Sequence, residues 1–148
     1  MNVVHCSLND VDLAVNAMKT IKCAVDNLPV ELATPAAMHV FLANPLNYLL
    51  VAVEGEKALG YLFAYELQRP DREQAMMFLY DITVLDEYRK KGVGTALIEQ
   101  LKTMCNNKHI MKMFVPTNRS NTAAMNLYQK TGAVISTDND AVTLTWQF

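Results

Sequence analysis

Residues 80–101, YDITVLDEYRKKGVGTALIEQL, restrict the fold more than any other stretch of this chain. The opening YDITVL is rich in aromatic and β-branched residues, which suit a half-buried pleated strand. Arg89, Lys90 and Lys91 then run straight into Gly92 and Gly94. From Val93 onward the apolar residues Val93, Ala96, Leu97, Leu101 and Met104 recur at helical spacing. The reading is strand, cationic glycine turn, helix.

Such a turn is suited to hold an anion. The first N–H groups of a helix have no partner inside it, and the helix dipole adds partial positive charge. A glycine lets a phosphate approach the backbone, and the three cations surround it. Neither common nucleotide loop fits. The mononucleotide loop needs four residues between its glycines and then Lys-Ser/Thr, and the dinucleotide pattern needs glycine where Leu97 stands.

The same punctuation orders the rest of the chain. VVH near the start reads as a strand. Leu13, Ala14, Ala17, Met18, Ile21 and Val25 mark a helix with Asn9 or Asp10 as cap. Thr34-Pro35 opens a second helix that stops at Asn44-Pro45. Two apolar strands flank the turn Glu54-Gly55-Glu56-Lys57. A polar loop, residues 69–74, leads to a central strand over 75–85. After the glycine turn and its helix come a strand over 109–115 and a helix capped by Asn121 that ends at Gly132. Two further strands, AVISTD and AVTLTWQF, are expected across the turn Asp138-Asn139-Asp140, with Trp146 packing the last of them or walling a cleft. Strands and helices so mixed imply an α/β (α+β) domain around one sheet.

Its 148 residues suit one domain spanning 1–148 with a sizeable core. The net charge of -2 argues against nucleic acid as a partner. No apolar run approaches the ~20 residues of a membrane span, and the first residues lack a signal-peptide pattern, so the cytoplasm is the expected location. Cys6, Cys23 and Cys105 form no CxxC pair, so reduced thiols and no metal site are expected.

Arg89-x-x-Gly92-x-Gly94 after a strand resembles the pyrophosphate loop of the GCN5-related N-acetyltransferases (GNAT). Asn121-x-x-Ala124-x-x-Leu127-Tyr128-x-Lys130-x-Gly132 is similar to that superfamily's second signature. The resemblance implies a mixed sheet of about six to seven strands with about four helices, and acetyl-CoA lying where two parallel strands, 75–85 and 110–115, splay apart. It implies that a bulge in the first of these frees backbone groups of Ile82, Thr83 and Val84 to serve the pantetheine arm and thioester, the last as oxyanion donor. Arg89, Lys90, Lys91, Gly92, Val93, Gly94 and Thr95 would hold the pyrophosphate, largely through backbone N–H groups, with Asn121 and Ala124 beside the arm. Tyr128 falls where the family places its proton donor. A phenol of pKa ~10 stays protonated at neutral pH and can protonate a thiolate whose acid has pKa ~8.5.

Asp81 is the one acid within the central strand, and strict alternation puts it on the face of Thr83, opposite Tyr80 and Ile82. A carboxylate there marks either a site or a buried ion pair. Its ordinary pKa of ~3.9 makes it a poor direct base for an ammonium, so binding the acceptor's cation is the alternative role. Within the superfamily, residues 78–102 are most similar to aminoglycoside 3-N-acetyltransferases of type I. That implies Asp81 at the amine and a small cationic acceptor, with Asp26, Glu31, Glu66, Asp71, Asp138 and Asp140 as further acids for its cleft. Arg119 and Ala133 depart from that group's pattern. Another small amine, a protein amine, or a non-catalytic coenzyme A-binding module remain alternatives, and a homodimer is possible.

Overall fold

The computed structural model describes residues 1–27, 33–136 and 140–148. A short strand, β1 (Asn2–His5), is followed by a 3-10 turn, Leu8–Asp10, and two helices, α1 (Val11–Asp26) and α2 (Pro35–Ala43). Asp10 stands at the cap position of α1, as expected, while Ser7 caps the 3-10 turn before it, accepting from the Asn9 N–H at 3.2 Å as Asp10 Oδ2 accepts from the Ser7 N–H at 2.8 Å. This reciprocal box leaves Asp10 making no side-chain cap bond of its own at the start of α1. Thr34 does cap α2, accepting from the Ala37 N–H at 3.1 Å, with Pro35 at the first helical position.

Strands β2 (Asn47–Glu54) and β3 (Lys57–Leu67) form the expected hairpin, and β4 (Met76–Val84) lies antiparallel beside β3. Helix α3 (Val93–Asn107) then crosses over to β5 (Lys112–Phe114), which runs parallel to β4. Helix α4 (Thr122–Lys130) follows, with Gly132 beyond it at φ 98°. The sheet has five strands in the order β1-β2-β3-β4-β5.

Two cores flank this sheet. On one face α1 buries Ala14, Ala17 and Ile21, and α2 buries Met38, against the side that carries Leu49, Val51 and Tyr61. On the other, Leu97, Ile98 and Leu101 of α3 bury against Leu50, Leu62, Met77 and Leu79. Each fully buried side chain of this size stabilises by ~1.5–3 kcal/mol relative to exposure, so the two helical layers fix the sheet from both sides.

Three expectations need correction. The strand expected over 109–115 pairs only through Lys112, Met113 and Phe114; His109, in the left-handed region at φ 53°, precedes it and Pro116, with no N–H to donate, follows it. Residues 133–136 and 140–148 form no strand, so the sheet has five strands among the described residues, not six or seven. Trp146 accordingly packs no strand and is 76% exposed. Most of the turn expected over 138–140, like Glu31, lies outside the described residues.

The third correction shapes the site. Phe63 pairs with Asp81 but Ala64 pairs with Leu79, so Tyr80 is an extra residue in β4. This bulge breaks strict alternation. Leu79 faces α3, while Tyr80 and Asp81 both turn to the α1 face. There Tyr80 stacks on Phe63 at 5.2 Å between centroids, and Asp81 meets Tyr61. Tyr80 is therefore not opposite Asp81.

Candidate active site

Only Met76, Met77 and Phe78 of β4 pair with β5; beyond Phe78 the two parallel strands part. The gap opens into a cleft of about 690 Å³. One wall is β4, at Asp81, Ile82, Thr83 and Val84, and the other is Val115 and Pro116. Gly92, Gly94 and Thr95 at the start of α3 close one end, and Asn121, Leu127 and Tyr128 bring α4 over the opening.

The two glycines turn out to have different duties. Gly92 sits at φ 87°, a left-handed conformation that side chains resist, and open space surrounds the position of its missing β-carbon. It turns the chain into the helix. Gly94 has ordinary backbone angles, but a β-carbon there would lie 3.0 Å from Leu127 Cδ2. It lets α4 seat against α3. Lys102 fastens the C-terminal end of α4, donating to the Thr131 carbonyl at 2.8 Å, so α3 holds the half of the helix that carries Tyr128.

The N–H groups of Val93, Gly94 and Thr95 lie in the first turn of α3, where helix geometry leaves them without intrahelical partners. Arg89 and Lys90 line the same end of the cleft. Arg89 is braced there, its Nε 3.3 Å from the Val84 carbonyl oxygen and 3.1 Å from Asp86 Oδ1. Lys91 instead lies over the Tyr88 ring at 5.5 Å, and the Val93 side chain is in the core, so neither lines the cleft. Donors, cations and space fit a diphosphate at this end.

Leu85 donates its N–H to the Leu59 carbonyl of β3, at 3.0 Å. Strand alternation turns the N–H of Val84 the other way, toward the cleft. The Asn121 side-chain oxygen accepts from the Ala124 N–H at 3.2 Å, so this residue caps α4 as well as lining the cleft. Ala124 lines it too.

Tyr128 is half-buried on the same wall. Burial, and then the negative charge of Asp81, hold its phenol above the ordinary value. It stays protonated at neutral pH, as a proton donor must.

Asp81 is not alone. Its Oδ2 is 2.9 Å from Lys22 Nζ of α1 and accepts from the Tyr61 hydroxyl at 2.9 Å, while Oδ1 accepts from Thr83 Oγ1 at 3.2 Å. Lys22 also lies 3.6 Å from Asp26, another residue lining the cleft. Burial pulls the Lys22 ammonium downward, but its hydrogen bond to Asp81 and the adjoining negative groups outweigh that and leave its pKa raised. Two carboxylates thus share one ammonium at the mouth of the cleft. The other expected acids are elsewhere: Glu66 binds Tyr48 and Lys108, Asp71 pairs with Arg69, Asp140 does not line the cleft, and Glu31 and Asp138 are outside the described residues. Cys6 and Cys105 are buried, Cys23 is exposed, and all three are free thiols. Burial pushes the Cys6 thiol up to about 12 and that of Cys105 to about 11, which makes both poor nucleophiles.

Sequence reasoning missed Lys22 and Tyr61. A lysine on the polar side of an amphipathic helix carries no sign of a partner 59 residues away, and Tyr61 reads as one aromatic among several.

With this geometry in place, the family comparison decides the class. Residues 19–133 match the model of the acetyltransferase (GNAT) family. The chain belongs to that family. It is an acetyltransferase, and the GNAT fold uses acetyl-CoA or CoA. Among solved structures, it is similar to an aminoglycoside acetyltransferase from an uncultured soil metagenomic sample, in complex with sisomicin. That pair has a TM-score of 0.86 and 18% identity, covering 99% of this chain and 95% of the other. A second aminoglycoside acetyltransferase, also from an uncultured soil metagenomic sample, is 26% identical with a TM-score of 0.80, over 97% of this chain and 98% of that one. The ribosomal-protein-alanine N-acetyltransferase of Brucella melitensis has a TM-score of 0.73 and 18% identity, each chain covered in full at 100%. No curated protein matches the sequence. Among the described residues no helix is long and apolar enough to cross a membrane.

The two glycines make separable predictions. Gly92→Val should weaken acetyl-CoA binding by straining the turn that aims the α3 N–H groups, and the valine forced into the left-handed region should also lower the melting temperature, whereas Gly92→Asn, which tolerates that region, should keep it. Gly94→Val should lower both, because it pushes Leu127 and α4 away. Calorimetric titration and thermal melting of these variants check this; unchanged affinity in Gly92→Val contradicts it.

Proposed function

We propose that the protein transfers the acetyl group of acetyl-CoA to a primary amine of a small cationic acceptor, an aminoglycoside first of all. The observation that carries this reading is the shared ammonium of Lys22 between Asp81 and Asp26 at the cleft mouth. Two carboxylates against one lysine leave a net negative charge where an acceptor would enter, and a cationic amine could take the place of the Lys22 ammonium on Asp81. The likeness to aminoglycoside acetyltransferases supports the same substrate class.

The residues divide the work as follows. The first-turn N–H groups of α3, with Arg89 and Lys90, bind the diphosphate of acetyl-CoA. The free edge of β4 orients the thioester, and the Val84 N–H stabilises negative charge on the carbonyl oxygen as the amine nitrogen bonds to its carbon. The carbon–sulfur bond breaks and Tyr128 protonates the departing thiolate. Asp81, already accepting two hydroxyl hydrogen bonds, is better suited to hold the acceptor's ammonium than to strip it. The amine loses its proton through the open cleft to water. A regiochemistry at the 3-N position is part of the same proposal and rests on the resemblance of residues 78–102 alone.

Three measurements test this. Tyr128→Phe keeps the ring and removes the donor, so kcat should fall on the order of 10²-fold with acetyl-CoA affinity nearly unchanged; full activity would leave Tyr128 a packing residue.

Asp81→Asn and Lys22→Met separate the two roles of the carboxylate. If Asp81 serves the acceptor, Asp81→Asn should lower kcat/KM for the amine roughly 10- to 100-fold, whereas Lys22→Met should leave it unchanged or improve it. A purely structural pair predicts that both variants lose melting temperature alike and neither changes the KM of the amine.

An amine panel read by thiol release identifies the acceptor. Acetylation of aminoglycosides ahead of polyamines and peptides is expected. Turnover of polyamines or peptides with every aminoglycoside untouched would overturn the substrate class, and no turnover with any amine, despite tight acetyl-CoA binding, would favour a coenzyme A-binding module.

A further inference from the structure

Four aromatic side chains of the sheet belong to neither core. Tyr65 of β3, Phe78 and Tyr80 of β4 and Phe114 of β5 are absent from both buried clusters and from the side chains packed against them. Register sets them side by side. Tyr65 pairs with Phe78, Phe78 pairs with Phe114, and the bulge turns Tyr80 to the same face. Their rings are contiguous: Tyr80 lies 5.5 Å from Phe78 and 5.6 Å from Tyr65 between centroids. Phe78 stacks on Phe114 at 5.0 Å, with 2° between the ring planes. Phe41 of α2 borders this surface, meeting Tyr65 edge-on at 5.8 Å. Tyr80 is 59% exposed.

An aromatic shelf outside the core marks a place where something binds. Its position says what. Tyr80 lines the cleft, as does the next residue, Asp81, so the shelf is continuous with the place proposed for the acceptor's amine. From there it leads back along β4 and across to β5. The face of an aromatic ring is negative, which favours cations and C–H bonds polarised by neighbouring nitrogen and oxygen. The Tyr65 and Tyr80 hydroxyls add hydrogen-bonding capacity to the same surface.

We propose that this shelf selects the acceptor by seating one of its rings, and that the acceptor is an amino sugar of more than one ring. One ring presents its amine at Asp81 while the next lies flat on Tyr80 and Phe78. The inference rests on the reading of the acceptor as an aminoglycoside, and adds what separates that class from other cations. A saturated sugar ring brings a face of polarised C–H bonds with few rotors to freeze. A linear polyamine must immobilise its whole chain to touch the same surface, and that ordering costs affinity. A simple aryl amine would stack equally well, but it carries a single charge, whereas Asp81 and Asp26 offer two carboxylates beside the shelf. The carboxylates attract any polycation; the aromatic rings tell a ringed one from a linear one.

Calorimetric titration of protein saturated with coenzyme A, which has no acetyl group to transfer, measures acceptor binding without turnover. Sisomicin serves as the ringed probe and spermidine as the linear one. Tyr80→Ser should weaken sisomicin roughly 10-fold and leave spermidine nearly unchanged, while Tyr80→Phe keeps the affinity for both. Tyr80 is largely exposed, so the serine variant should keep its fold. Should it melt early, Tyr80→Leu, which retains bulk and loses the negative face, carries the same expectation. Unchanged sisomicin affinity in both variants would overturn the shelf and leave the aminoglycoside reading standing. Equal losses for sisomicin and spermidine would overturn it too, because Tyr80 would then act only by positioning Asp81. A wild-type protein that neither binds nor acetylates sisomicin overturns the aminoglycoside reading itself, and this proposal with it.

Discussion

Three residues of β4 pair with β5 and then the ladder stops. Everything that could act on acetyl-CoA depends on this interruption. Had the strands stayed paired, the N–H and C=O groups on the outer side of Ile82 and Val84 would be spent on each other. Two local features end the pairing. Pro116 removes a donor just past β5, and the extra residue at Tyr80 twists β4 away from its earlier course. The cost of unpaired backbone is tolerable only because the gap faces solvent and can be filled by a ligand's polar groups.

The same bulge decides which way Asp81 faces. With strict alternation Asp81 would follow Leu79 into the α3 core, where a carboxylate without partners is costly. The extra residue rotates it toward α1, into reach of Lys22, Tyr61 and Thr83. An ion pair only partly shielded from water contributes modestly to stability. Its larger consequence is that the Asp81 carboxylate is held in place along the cleft. Tyr128 senses the charge from across the cleft, which helps to keep its own proton on.

Much of this was legible in the sequence where the signal is local. The glycine turn, the Thr34-Pro35 cap, the Gly55 hairpin and the Asn121-to-Gly132 helix are written in neighbouring residues whose backbone preferences are strong. What stayed hidden depends on pairs far apart in the chain. The resemblance implies a bulge in this strand, but nothing beside Tyr80 says that it falls there, since a bulge is a property of register between two strands. Gly94 looked like a phosphate glycine and is also a packing glycine, because Leu127 lies over it. Alternation in residues 141–148 suggests a strand, but the described residues form none there.

The central claim is that acetyl-CoA occupies the gap between β4 and β5 with its diphosphate on the first turn of α3. Amide chemical shifts of isotopically labelled protein during titration with acetyl-CoA test it residue by residue. The account predicts large, saturable shifts for Val93, Gly94 and Thr95 and for Ile82 to Val84, with β1 and β2 nearly silent. Saturable shifts confined to other surfaces, with the α3 first turn unmoved, would contradict it.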